Sequence, residues 1–254
     1  MTVDSFEVSV VTITYNEAEN IERFLDQVSA VLRQHGLRGQ IIVVDDSSPD
    51  GTGEAVRQKA GQLDASVVLV SRPCKLGIGS AYLAGIRRCE GACIVLMDAD
   101  LSHAPEALPA MVEIARAGQV AAGSRFMPGA GFQTSPWRKG ATRLLNGFTR
   151  RALRLPLHDY TNGYVAIRRA DLERVLQAGA EAGVRPFDHI LYGVAIFVLA
   201  SGLGISMAEV CAAYRFRDKG VSKIGLCAGL KLFFDTVRLT FQCARLLNGK
   251  IVRA

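Results

Sequence analysis

A chain of 254 residues, 49% of them hydrophobic and 21% charged, holds enough apolar material for one large core and is not a disordered or low-complexity polymer. Its formal charge of +6 is unevenly spread: between Glu113 and Asp159 there is no acidic residue, while Arg116, Arg125, Arg138, Lys139, Arg143, Arg150, Arg151 and Arg154 are all basic. A field of one sign draws polyanions, whether nucleic acid, an anionic membrane surface or phosphorylated substrates.

Val8 to Thr14 is a β-branched run and predicts the first strand, followed by a helical pattern from Glu17 to Gln34. The N-terminus carries Asp4 and Glu7 before that run and no basic segment, so no signal peptide is expected. Ile41 to Val44 predicts a second buried strand, and Asp50-Gly51-Thr52 supplies the turn and cap that open the next helix. Val67 to Val70 predicts a third strand, Gly79 to Arg88 a third helix and Ile94 to Met97 a fourth strand; Pro105 sits where a first helical turn favours proline. Such alternation implies a mostly parallel sheet with helices on both faces.

The second half reads differently. Gly123 to Pro136 is rich in Gly, Pro and Ser and is expected to be a long loop. A basic helix (Arg138 to Arg154), a strand near Tyr164 to Ile167 and a helix from Asp171 to Gln177 follow. Ile190 to Ala208 is almost uncharged and long enough to cross a membrane, but Gly193, Ser201, Gly202, Gly204 and Ser206 favour a buried helix turning into a strand. The last helix is expected over Gly225 to Leu247, where Lys231, Asp235, Arg238, Gln242 and Arg245 form one narrow polar strip on an otherwise apolar surface. Such a helix either packs deep in the protein or lies in a membrane interface. The six cysteines show no C-x-x-C spacing and are expected to be reduced core residues.

The chemistry concentrates at strand ends. Ile94-Val95-Leu96-Met97 runs straight into Asp98-Ala99-Asp100, two carboxylates flanking one small residue, a pattern suited to Mg²⁺ or Mn²⁺ although a solvated turn has the same form. Thr14-Tyr15-Asn16-Glu17 follows the first strand and Asp45-Asp46-Ser47-Ser48-Pro49-Asp50-Gly51 the second, so on a parallel sheet these loops converge on one crevice. An aromatic ring, carboxylates and a cation together describe a nucleotide pocket. There is no Gly-x-x-x-x-Gly-Lys loop, so a diphosphate there needs metal and basic side chains.

The ordered motifs Tyr15-Asn16-Glu17, Asp45 to Thr52, Lys75 to Tyr82 and Met97 to His103, with Gly123-Ser124-Arg125-Phe126 further on, resemble the dolichol/polyprenol-phosphate mannose synthase branch of glycosyltransferase family 2. The resemblance extends from Val8 to about Gly225 and implies a GT-A type α/β fold with a Rossmann-like sheet. It implies a catalytic domain over residues 1–224, without the C-terminal transmembrane hairpins of some members; residues 225–254 are expected to hold the amphipathic helix, with packing on the core and association with a membrane as the two alternatives. It further implies that Ile13, Tyr15, Glu17, Val44, Asp46 and Ala99 line the donor nucleotide site. Asp98 and Asp100 would hold metal and diphosphate with Ser102 nearby; Asp98, Asp100 and Arg125 would be the catalytic residues. Arg125, Arg217 and Lys223 would contact phosphates on the donor side, and Arg138, Arg143 and Ser222 the acceptor phosphate.

The implied reaction is inverting transfer of mannose from GDP-mannose to a polyprenyl monophosphate, with Mg²⁺ or Mn²⁺. The implied setting is the cytosolic face of an anionic membrane, reached peripherally, with a membrane-protein partner as a further expectation. Thr161-Asn162-Gly163 departs from the usual Thr-Gly-Ser, and Ile13 stands where many members have proline. A UDP-sugar donor (glucose or an amino sugar) is the alternative within the class, and a non-catalytic nucleotide-sugar-binding adaptor the alternative outside it. Nucleic acid is not expected as a partner, because the basic stretch carries no recognition motif.

Overall fold

The computed structural model describes residues 6–213 and 234–243. Strands β1 (Val8–Thr14), β2 (Gly39–Asp45), β3 (Ser66–Ser71) and β4 (Cys93–Leu96) alternate with helices α1 (Ala18–Gln34), α2 (Thr52–Ala60) and α3 (Ile78–Ile86). A 3-10 turn at Pro105–Ala107 leads into α4 (Leu108–Arg116), and β5 (Val120–Ser124) follows. Then come α5 (Pro136–Leu153), β6 (Val165–Arg168), α6 (Arg169–Ala182), a 3-10 turn at Pro186–Asp188, α7 (Tyr192–Gly202) and β7 (Met207–Cys211). The seven strands form one sheet in the order β3-β2-β1-β4-β6-β5-β7.

The apolar runs are continuous because both faces of the sheet are covered. Val8, Val10, Ile41, Val43, Cys93 and Val95 join the core under α1 and α4, while Val11, Ile42, Val44, Ile94 and Leu96 join the core under α3, α6 and α7. Successive side chains point to opposite faces, so a strand buried on both sides is mostly apolar, and the buried polar residues Ser9 and Gln40 bond to each other. Every pairing is parallel except those of β6, which runs antiparallel to β4 and β5. The chain travels from β1 outward to β3 and returns to place β4 on the other flank of β1. The strand order therefore reverses between β1 and β4, where such sheets open a crevice.

Several boundaries differ from the sequence expectation. Gly123 and Ser124 belong to β5 and not to the loop, because Val120-Ala121-Ala122-Gly123-Ser124 has only one β-branched residue yet is wholly buried. The uncharged segment is α7 followed by β7, as expected for a buried helix: Tyr192 through Ala200 are all buried. No helix among the described residues is long and apolar enough to cross a membrane. Cys89, Cys93 and Cys243 are buried, but Cys74 and Cys211 are exposed, which corrects their reading as core residues; all five are free thiols. Cys227 lies outside the described residues.

Of the last helix, residues 234–243 are described and helical. Leu239 and Cys243 enter the core, Thr240 meets Thr149 of α5 with 3.4 Å between hydroxyls, and Phe241 packs edge-on against Phe148 of α5. Phe234 and Phe241 nevertheless stay exposed. The described segment thus packs on the core along one side and leaves two aromatic rings on its outer side. Lys231 and Arg245 lie outside the described residues.

Candidate functional site

The loops after β1 and β2 are tied together by their own polar residues. Thr14 Oγ1 donates to Asp45 Oδ1 at 2.9 Å, and Asp45 also accepts from the backbone N–H and the hydroxyl of Ser48. Three backbone N–H groups of the first loop are satisfied by the second: Asn16 by Ser48 Oγ, Glu17 by Thr52 Oγ1 and Ala18 by Asp50 Oδ2. Burial acts to raise the Asp50 carboxyl, but hydrogen bonds from Thr52 and Ala18 outweigh it and hold Asp50 below the usual range. The Glu17 carboxylate accepts from Asn20 Nδ2, and Lys75 Nζ sits 4.5 Å above the half-buried Tyr15 ring.

Asp46 is buried and bidentate with Arg72, at 2.6 Å to each carboxylate oxygen. Arg72 also donates to Ser80 Oγ at 2.7 Å, so one guanidinium ties the β2 loop to the Lys75–Tyr82 segment. Gly79 is required there: a Cβ would fall 1.5 Å from the Phe187 carbonyl oxygen. Of the other expected donor residues, Ile13 is partly buried, whereas the Val44 side chain is wholly inside the core. Only main-chain atoms of Val44 face the loops, and its carbonyl accepts from Thr14 Oγ1.

The loop after β4 brings the two carboxylates to the same crevice. Asp100 is buried and its Oδ1 accepts the Ser102 N–H at 3.0 Å, while the Asp98 side chain is half exposed. Ala99 is buried between them. Ser102 Oγ is buried with no hydrogen-bond partner. The turn is held from outside by His103, whose Nδ1 accepts the Asp98 N–H at 3.1 Å and whose ring stacks on Tyr164. Because Nδ1 accepts, the ring proton belongs on Nε2, from which it is donated to the Asn162 carbonyl at 2.9 Å. His103 is thus a brace between the β4 loop and Asn162. Beneath Asp98 lies Tyr82, its hydroxyl 3.4 Å from Asp98 Oδ1; burial first, then Tyr192 and the Asp98 charge, push this phenol well above its ordinary value, so it remains a donor.

Four described non-glycine residues have positive φ, and three of them, Asn16, Ser47 and Leu101, lie one in each of these loops. Leu101 is a bulky side chain in a conformation that favours glycine or asparagine, and it is also buried. Such strain persists only where surroundings enforce it and clusters at ligand sites.

Arg125 closes the far side. Its Nε and Nη2 donate to the two oxygens of Asp159 at 2.7 and 2.8 Å, Nη2 also reaches Thr161, and Phe132 lies 4.8 Å from the guanidinium carbon. Burial alone would raise the Asp159 carboxyl; the hydrogen bonds and charge of Arg125 overcome that and hold it low. Asn146 of α5 donates to Asp159 and accepts the Tyr160 N–H, anchoring α5 over this pair. Asn162, in the atypical Thr-Asn-Gly, donates to the Gly123 carbonyl and so links this corner to the His103 brace. Arg138 is partly exposed beside Trp137 and Arg143 is exposed, both on α5. Arg217, Ser222 and Lys223 lie outside the described residues.

The structure therefore gathers Tyr15, Glu17, Asp46, Asp98, Asp100 and Ser102 on adjoining loops, and adds residues that the sequence reading did not single out. Arg72, Asp159 and Asn146 are the main ones. Arg72 and Asp159 find their partners 26 and 34 residues away, and Asn146 finds Asp159 and Tyr160 beyond the end of its own helix.

The Glycosyl transferase family 2 model matches residues 9–176. A polyprenol monophosphomannose synthase from Mycolicibacterium smegmatis is 36% identical over 220 residues, covering 85% of this chain and 80% of that protein. An undecaprenyl-phosphate 4-deoxy-4-formamido-L-arabinose transferase from Pseudomonas aeruginosa is 31% identical over 242 residues, covering 95% of this chain and 67% of its own length. A mannosyltransferase from Pyrobaculum calidifontis, solved in complex with GDP-Man and Mn²⁺, aligns with a TM-score of 0.59 at 21% identity, covering 98% of this chain and 71% of that one. At that identity the likeness concerns the fold.

Proposed function

The chain belongs to glycosyl transferase family 2, and from that premise we propose that it transfers mannose from GDP-mannose to a polyprenyl monophosphate, inverting the anomeric carbon. The observation that carries this reading is the Asp98–Ser102 turn, placed where the strand order reverses and flanked by the interlocked β1 and β2 loops. The synthase likeness supports the choice of acceptor and sugar.

The residues present fit a hard divalent cation. No cluster of three or more His, Cys, Asp or Glu side chains able to hold a metal occurs among the described residues. Two carboxylates and an unligated buried hydroxyl suit an ion that takes its remaining ligands from water and substrate phosphates. Asp98, Asp100 and Ser102 would hold Mg²⁺ or Mn²⁺, which when bound supplies Lewis-acid stabilisation to the nucleoside diphosphate leaving group.

The protein's own part is positioning. Tyr15, with Lys75 above its ring, offers a face to the base, and Glu17 offers a carboxylate to base or ribose. Asp46, whose two oxygens are already engaged by Arg72, shapes the wall of that pocket. A polyprenyl phosphate is an anionic nucleophile at neutral pH, so the site needs no general base; this agrees with His103 spending both ring nitrogens on backbone groups. Arg138 and Arg143 on α5, together with Arg125, screen the two phosphorylated substrates and align them for in-line attack. A single displacement then gives the β-linked lipid-phosphate sugar.

We place the enzyme peripherally on a membrane, on the cytosolic face, because its acceptor carries an isoprenoid tail that stays in the bilayer and no described helix crosses one. A second donor is favoured by one finding, the 31% identity to a formamido-arabinose transferase over nearly the whole chain. Incubation with a polyprenyl phosphate, Mg²⁺ and labelled GDP-mannose, UDP-glucose or a UDP-linked 4-deoxy-4-formamido-L-arabinose separates the readings. Label entering the organic phase from GDP-mannose is the expected result, and label from a UDP-linked sugar alone refutes the mannose assignment.

A further inference from the structure

Along the C-terminal half of α5 lies a concavity of about 440 Å³ lined by Gly147, Arg150, Arg151, Arg154 and Leu155. Among the described residues no ion pair joins these three arginines to a carboxylate. The remainder of the chain contributes Asp4 and Asp218 as its only further acidic side chains. Three like charges with no counter-ion among the described residues repel one another, and guanidinium forks match phosphate oxygens. Arg154 adds an independent sign: it caps α5 with φ +54°, a left-handed conformation that favours glycine or asparagine, so the arginine side chain is held there at a conformational cost.

The neighbouring surface says which phosphate. Trp137 is 60% exposed and Leu144 68% exposed, and with Arg151 they recur at seven-residue spacing, which places all three within about 40° on the outward stripe of α5. Phe241, also exposed, widens this patch through its contact with Phe148. A soluble phosphate would use the cations and leave the aromatic and aliphatic groups in water. A bilayer surface engages both, with apolar side chains below the headgroups and arginines at phosphate level.

We infer that the Arg150–Arg151–Arg154 pocket is a binding site for the phosphate headgroup of an anionic membrane phospholipid, distinct from the site of the reacting lipid phosphate. From Arg143, the nearer of the two acceptor-side arginines, to Arg150 the rise along α5 is about 10.5 Å, more than one phosphate group spans, so the two phosphate sites are separate. This deepens the proposed peripheral location and rests on that part of it alone.

The test is partitioning of the full chain onto vesicles of phosphatidylcholine with and without about 30% phosphatidylglycerol, at about 0.1 M salt. Each cation near an anionic surface contributes roughly fivefold, so Arg150→Gln/Arg151→Gln/Arg154→Asn is expected to lose on the order of 100-fold in affinity for the anionic vesicles. Arg150→Lys/Arg151→Lys/Arg154→Lys retains the charge but loses the guanidinium forks and is expected to bind several-fold more weakly than wild type, though better than the neutral variant; binding equal to wild type overturns the pocket in favour of a general basic surface. Trp137→Ser/Leu144→Ser weakens binding to both vesicle types. Unchanged partitioning of the triple neutral variant overturns the site. Displacement from anionic vesicles by millimolar inorganic phosphate at matched ionic strength overturns the lipid as its source. Partitioning needs no turnover, so failure of the transferase reading leaves this result readable; conversely, turnover on detergent-dispersed acceptor is expected to survive the triple neutral substitution.

Discussion

Asp159→Asn is the substitution with the most clearly worked consequence. Asp159 is fully buried, and both oxygens are saturated: Oδ1 accepts from Arg125 Nη2, Asn146 and the Thr161 N–H, while Oδ2 accepts from the Arg125 backbone N–H and Nε. An asparagine NH₂ in either orientation turns two or three of these into donor facing donor, and it strands the Arg125 guanidinium without a charge partner. Breaking one side of a buried pair costs about 3–5 kcal/mol, which for a chain of this size lowers Tm by roughly 10 °C. Arg125→Met alone should cost a comparable amount, and the double variant less than the sum, because no charge is then left buried and unpaired. Denaturant unfolding of the four proteins measures the cycle. Losses below about 1 kcal/mol for Asp159→Asn, or additivity within about 0.5 kcal/mol, would refute the claim that the pair holds this corner. The pH sign follows from the direction of the shift. A carboxyl held low in the folded state stabilises the fold above its unfolded value and loses that contribution as pH falls through the folded one. The gap between wild type and Asp159→Asn should therefore be full at neutral pH and narrow below about pH 4.

Asp98→Asn and Asp100→Asn should each lower transfer on the order of 10²–10³-fold with little change in melting for the half-exposed Asp98; near-normal turnover of Asp100→Asn at saturating Mg²⁺ would remove the metal assignment. Chelation should abolish transfer reversibly, with activity restored by Mg²⁺ or Mn²⁺ in a direct assay. Gly79→Ala should destabilise by about 3 kcal/mol or more, since its Cβ meets backbone at Phe187 and no side chain can yield; a melting shift of under a degree contradicts that close approach. In membranes, high salt and alkaline carbonate should release the protein, and retention through both would mean that a segment spans the bilayer.

What the amino-acid sequence determines by itself is the parallel half of the sheet and the location of its chemistry. Val8 to Thr14, Ile41 to Val44 and Ile94 to Met97 carry no strict polar alternation because both faces are buried, and each ends in a polar loop that supplies candidate site side chains. Local pattern is sufficient there, since hydrophobic burial and turn chemistry act within a few residues. β5 was not legible, because Ala and Gly fill a strand only where Tyr164 and its neighbours press against it. The reversed direction of β6 is likewise a matter of where the chain returns, which no short run of residues encodes. The same holds for the ion pairs that shape the site. Arg72 finds Asp46, Arg125 finds Asp159 and His103 finds Asn162 across 26, 34 and 59 residues of sequence. Only the tertiary fold sets those distances, and a buried charge or imidazole takes whichever partner the packing puts within hydrogen-bonding reach.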